Sequence, residues 1–146
     1  MLKKYSITAL FSLLLIFAAY TGGGFAETTE PAMSPETATA LAEVYKVNNE
    51  IYAEIAKVQV KAENMYADYL AEAAKTTDAQ KKAEAWNKYD VKVEAEIADL
   101  SSKTQAMTLK GMEKATAAGL TVEMEWIQVQ FADRVRMIDP IKVMDW

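Results

Sequence analysis

The stretch Glu36–Lys110, ETATALAEVYKVNNEIYAEIAKVQVKAENMYADYLAEAAKTTDAQKKAEAWNKYDVKVEAEIADLSSKTQAMTLK, contains neither glycine nor proline. Within it, apolar or small residues recur at alternating steps of three and four. The first half reads Leu41, Val44, Asn48, Ile51, Ile55, Val58, Ala62, Met65, Tyr69; the second reads Ala79, Ala83, Trp86, Asp90, Val93, Ile97, Leu100, Thr104, Met107. That spacing puts each set on one face of a helix in heptad phase. The phase runs on through Glu72, Thr76 and Ala79, but these supply no large apolar side chain. Thr77-Asp78-Ala79-Gln80 also fits a capping box, with Thr77 as the cap. The reading is therefore all-α: an antiparallel hairpin of helices over about 35–75 and 78–118, turning near Lys75–Thr77. Pairing positions that sum to about 154 sets Ala62 against Val93, Val58 against Ile97, Ile55 against Leu100 and Ile51 against Thr104, mostly apolar layers.

Outward from this hairpin, Ser34-Pro35-Glu36 is a helix start: a capping serine, a proline at the first helical position and an acid at the positive end of the dipole. Beyond it, Gly119 can end the second helix in the left-handed conformation and Thr121 can cap another. From Val122 to Met137 apolar and polar residues alternate, as in Ile127-Gln128-Val129-Gln130-Phe131, which suits a strand. A helical count competes through Leu120, Met124, Ile127, Phe131, Val135 and Ile138. Glu123 and Glu125 near the start, Arg134 and Arg136 near the end, and Pro140 beyond favour a third helix over about 122–138. It would set Phe131 and Ile127 against Leu109 and Met112. Two ion pairs, Glu84 with Lys88 and Asp99 with Lys103, are expected along the second helix.

Met1–Ala26 has the plan of a secretory signal: Lys3 and Lys4, an apolar run over Ile7–Ala19, and small residues at Gly24 and Ala26. The apolar run is shorter than the roughly 20 residues of a stable membrane span. The domains expected are 1–26 as signal peptide, 27–33 as a disordered leader, 34–140 as the helical domain and 141–146 as a short tail. Cleavage removes two lysines and no acid, leaving 14 basic against 21 acidic residues over Glu27–Trp146, a net charge of −7. So acidic a chain has no electrostatic footprint for nucleic acid or anionic lipid. Cysteine and histidine are both absent, which removes disulfides, the usual proton shuttle and the commonest metal ligand.

Gly119-Leu120-Thr121-Val122-Glu123, followed by Trp126-Ile127 and Asp139-Pro140, resembles the closing step of an exported bacterial family, the domain of unknown function numbered 4168. The similarity covers about Ser34–Pro140. Met124 stands where that family usually has an acid, and the Asp-Pro lies a few residues late. The resemblance implies a helical, exported domain and carries no activity, cofactor or site residue.

The only candidate metal ligands are acid pairs at helical spacing, Glu50 with Glu54, Asp68 with Glu72 and Asp90 with Glu94. Hard cations want six to eight oxygens from a shaped loop, and two carboxylates on a helix give a loose site. Paired acids for glycosidase work need a cleft, and Ser101 and Ser102 have no histidine to activate them. No cofactor, metal or catalytic residue is expected. The candidate interaction surface is Tyr45, Asn48, Tyr52, Tyr66 and Tyr69. The tyrosines flank or join the stripe, and Asn48, like Asp90, interrupts it, either to fix register or as a polar notch for a partner. A short third helix would leave the Tyr45 and Tyr52 end uncovered. The function expected is that of an exported, periplasmic or secreted, non-enzymatic protein acting by contact with an envelope protein or by self-association. A holdase-type chaperone and a weak acidic cation-binding protein are the alternatives.

Overall fold

A computed structural model describes residues 33–146; the expected signal segment and nearly all of the leader lie outside the described residues. Two 39-residue helices, α1 (Pro35–Ala73) and α2 (Ala79–Ala117), form a long antiparallel hairpin. Ser34 caps α1 by accepting from Thr37 N at 3.1 Å, with Pro35 at the first position. The turn falls at residues 74–78, where the stripe is empty. Its cap is Asp78, one residue later than the capping box implies, accepting from Gln80 N at 2.8 Å and Lys81 N at 3.3 Å. The residues paired by the hairpin arithmetic are buried in one cluster: Ile51, Ile55, Val58 and Ala62 with Val93, Ile97 and Leu100. Neither expected ion pair forms along α2. Lys103 instead reaches across to Glu54 at 2.9 Å, and Lys88 lies 4.0 Å from Glu72.

At the end of α2, Gly119 has φ +86°; its N–H and that of Leu120 donate to Thr116 O and Ala115 O, at 3.1 and 3.0 Å. These two hydrogen bonds satisfy carbonyls in the last turn of the helix.

No third helix follows. The chain forms four strands, β1 (Thr121–Met124), β2 (Ile127–Phe131), β3 (Arg134–Ile138) and β4 (Ile141–Asp145); β1 pairs with β4 and β2 with β3, both antiparallel. Together they make one two-stranded ribbon, interrupted where Glu125 N donates to Pro140 O at 2.9 Å. The expected tail is thus largely the strand β4.

Two positions decide between helix and strand. Val129, off the helical stripe, is 6% exposed, while Val135, on it, is 47% exposed. Alternation, not the 3.6-residue period, sets which side chains face inward. Reach gives the reason. A helix over 122–138 would span about 25 Å, whereas thirteen extended residues span about 40 Å, close to the length of α2 from Ala115 back to Tyr89. The ribbon therefore covers the groove from its base, where Val44, Ala115, Leu120 and Ile141 pack, to Phe131 beside the main cluster. Phe131 is wholly buried, and Leu109, expected against it, is exposed. The first half of α1 is thus covered. The groove left open is at the opposite end, near the turn.

Candidate functional site

Two anchors place the ribbon on the hairpin, and both use the polar residues that interrupt the stripe. At the base, the Asn48 side chain donates to Ile141 O at 2.7 Å and accepts from Ile141 N at 2.9 Å. It stands in for a strand partner beside the break, so this notch is filled by the chain's own strand. Thr108 donates its hydroxyl to Asp139 O, and Thr104 lies 3.3 Å from Asp139 Oδ1. Asp139 is 3% exposed, and its Oδ2 has no hydrogen-bond partner. A Cβ on Gly111 would stand 2.5 Å from Ile141 Cδ1, so glycine in mid-helix makes room for β4.

At the tip, Arg134 reaches Asp90 at 2.8 Å, Glu94 at 2.6 Å and Asp133 at 3.0 Å; its guanidinium carbon lies 5.2 Å from the centre of the Tyr89 ring. Arg136 also pairs with Glu94, and Tyr89 donates its hydroxyl to Asp133. Burial pushes the Asp133 carboxyl up, but hydrogen bonds from Arg134 and Tyr89 outweigh it and hold it below the usual carboxylate range. Burial, then the Asp133 contact, pushes the Tyr89 hydroxyl up to about 12. Arg134 is raised chiefly by its bond to Asp133, with burial opposing. The arginines that suggested the end of a helix are the clasps of a strand.

Beyond the tip lies an aromatic cluster. Tyr89 stacks on Tyr69 with centroids 5.5 Å apart and touches Tyr66 and Trp86 at the same spacing. Trp86 meets Tyr69 edge-on at 5.2 Å, and Tyr66 lies 5.9 Å from Tyr69. From Leu70 to Glu84 no residue is buried. One depression of about 190 Å³ is floored by Met65, Tyr69 and Tyr89, with Asp68 and Glu72 on the α1 side and Lys88 and Lys92 on the α2 side. A second runs past Trp86 between Gln80, Glu84 and Asn87.

The five expected surface residues thus fall into three places. Tyr66 and Tyr69 join the open cluster, and Asn48 holds β4. Tyr45 and Tyr52 stand exposed on the flank of α1, and Gln59, seven residues beyond Tyr52, donates to Gln130 O at 2.9 Å. Tyr45 and Tyr66 are about 30 Å apart along the helix. Sequence reasoning missed Trp86 and Tyr89 as partners of Tyr69, although the sum of 154 pairs Met65 with Tyr89.

Among the acid pairs, Glu54 is bonded to Lys57 and Lys103, which hold its carboxyl down at about 2. Asp90 and Glu94 are held by Arg134. Among the described residues no group of three or more acids is placed to hold an ion, and no helix is long and apolar enough to cross a membrane. Compared with family models, with curated proteins and with solved structures, the chain shows no match.

Proposed function

We propose that the chain is an exported, non-enzymatic helical protein that works by protein–protein contact in the cell envelope. Its contact surface is the open aromatic end of the hairpin. The observation that carries this is the ribbon's stopping point: the groove is covered as far as Phe131 and Asp133, and beyond them Tyr66, Tyr69, Trp86 and Leu70 keep an amphipathic surface in water. Aromatic side chains with a polar tip suit the centre of an interface. The rim carries acids from one helix and lysines from the other, which favours a short amphipathic segment bearing both signs of charge. Against catalysis stands the closure of the tip network on itself. Its carboxylates are bonded to arginine, and a hydroxyl pushed to about 12 is a poor proton carrier near neutrality.

The test places a photo-crosslinking residue at position 86, and at exposed Lys57 as control, in the host cell. The expected result is a protein captured from position 86 alone. Once purified, that protein binds the unmodified chain and loses binding to Leu70→Asp. Equal capture from both positions, or binding indifferent to Leu70→Asp, overturns the reading.

A further inference from the structure

The ribbon is built as two pieces that meet at its break. We infer that the outer piece, the β2–β3 hairpin, is a strap that lifts from the helices while β1 and β4 stay in place, and that lifting it lengthens the aromatic groove.

The pieces are separate in bonding and in packing. β2 pairs with β3 and β1 with β4, and the break between the two ladders is bridged by the bond from Glu125 N to Pro140 O. Their apolar side chains enter different cores. Val129, Phe131 and Ile138 join the main cluster, whereas Leu120 and Ile141 pack with Val44 and Ala115. The break itself is pinned to both helices, by Thr108 at Asp139 O and by Asn48 at both backbone groups of Ile141. That gives the strap a fixed pivot. Beyond the pivot its polar ties to the helices are ionic, Arg134 to Asp90 and Glu94 and Arg136 to Glu94, or end on a carboxylate, as Tyr89 does on Asp133; Gln59 to Gln130 O is the neutral exception.

A two-stranded hairpin has little stability of its own in water, so its hold on the helices decides how often it leaves them. Phe131, wholly buried, keeps the closed form dominant. The ion pairs tune that balance, and salt weakens them. Tyr89 joins strap and groove: its ring lies under the Arg134 guanidinium and its hydroxyl bonds Asp133, while the same ring stacks on Tyr69. Lifting the strap opens the part of the main cluster that Phe131 shares with Ala62 and Val93, and continues the groove past Tyr89. Strap and partner thus compete for one continuous surface, and rising ionic strength favours the partner. This purpose rests on the groove being the contact surface; the lifting itself does not.

The chain has no cysteine, so a single buried thiol can be placed under each piece and its reaction with a disulfide reagent timed. Val93→Cys lies under the strap and Val44→Cys under the base, and the two native side chains are 0% and 2% exposed. At about 50 mM NaCl the thiol at position 93 reacts at least about tenfold faster than the one at 44. Arg134→Met, or about 1 M NaCl, speeds the reaction at 93 at least about tenfold further. Asn48→Ala speeds the reaction at 44 and leaves that at 93 within about twofold, because its bonds persist while the strap is lifted. Hydrogen exchange in the parent chain reads the same separation without a substitution: the paired amides of β2 and β3 exchange ahead of Ile141 N, which Asn48 holds. One rate at both positions, a reaction at 93 that follows Asn48→Ala, or one indifferent to Arg134→Met overturns the inference. Such a failure leaves capture from position 86 standing, and absence of that capture leaves the measured lifting standing.

Discussion

The base and the tip of the ribbon are fixed to the same helices by opposite chemistry. At the base, uncharged partners meet the backbone: Asn48 against the Ile141 peptide and Thr108 against Asp139 O. At the tip, Arg134 joins three carboxylates over a tyrosine ring. Neutral bonds to buried backbone depend little on salt or pH, whereas partly exposed ion pairs depend on both. The hydrogen bonds to backbone at the base thus hold through changes of salt, whereas the ion pairs at the tip answer to it, and this responsive end borders the open aromatic groove.

The largest loss comes from removing the packing that seats the ribbon on the main cluster beside the tip. Phe131→Ala empties a fully buried site and costs about 3–5 kcal/mol, read as a lower urea midpoint. Next come the anchors themselves. Asn48→Ala leaves a buried peptide without partners, and Arg134→Met strands its carboxylates in partial contact with water; each costs about 2 kcal/mol. The contrast lies in salt: raising NaCl to 1 M shrinks the Arg134→Met penalty and leaves that of Asn48→Ala unchanged.

Titration sharpens the same contrast. Asp133 holds its proton less tightly folded than unfolded, so its contribution is present above the ordinary carboxylate range and is lost as pH falls below about 4. Tyr89 holds its proton more tightly folded. Its contribution is intact up to about pH 10 and is lost between about 10 and 12. Trp86 emission, beside Tyr89, reports both steps in the parent chain; in Arg134→Met the Asp133 step diminishes, while the Tyr89 step grows because Arg134 opposes the upward shift of that hydroxyl.

The smallest effect is a gain. Ala132, first residue of the two-residue loop between β2 and β3, has φ +51°, a conformation costly for a residue with a Cβ. Ala132→Gly relieves the tip by about 1 kcal/mol, seen as a raised melting temperature.

That loop also explains why the hairpin of helices was legible in the sequence and the ribbon was not. Helix periodicity over Leu41–Tyr69 and Ala79–Met107, with an empty turn between them, needs no tertiary information. The ribbon's strands are five residues or shorter, and Ala132-Asp133 lacks the Asn-Gly or Asp-Gly signature of a two-residue turn. Its charges, Glu123 early and Arg134 late, imitate a helix dipole pattern because their true partners, Lys142 and the Asp90–Glu94 pair, are supplied by the fold. Of the candidate surface, Tyr66 and Tyr69 could be read from the stripe. That they would cluster with buried Tyr89 and leave Trp86 exposed followed only from where the ribbon stops.

The positions of Thr37 and Asp145 have a mechanical consequence. Thr37, in the first turn of α1, bonds Ala118 O at 3.1 Å, and β4 finishes at Asp145 opposite Thr121, so both lie at the base. The aromatic groove is about 50 Å away along the helices. A pull between residues 34 and 146 peels β4 from β1 one rung at a time, in the unzipping direction that resists least. A pull from the groove loads the helices lengthwise, against their whole packed length. Load at the groove is therefore resisted more firmly than load on the strand at the near end, and tension between residues 34 and 146 would strip the ribbon from the base upward before the hairpin itself yields.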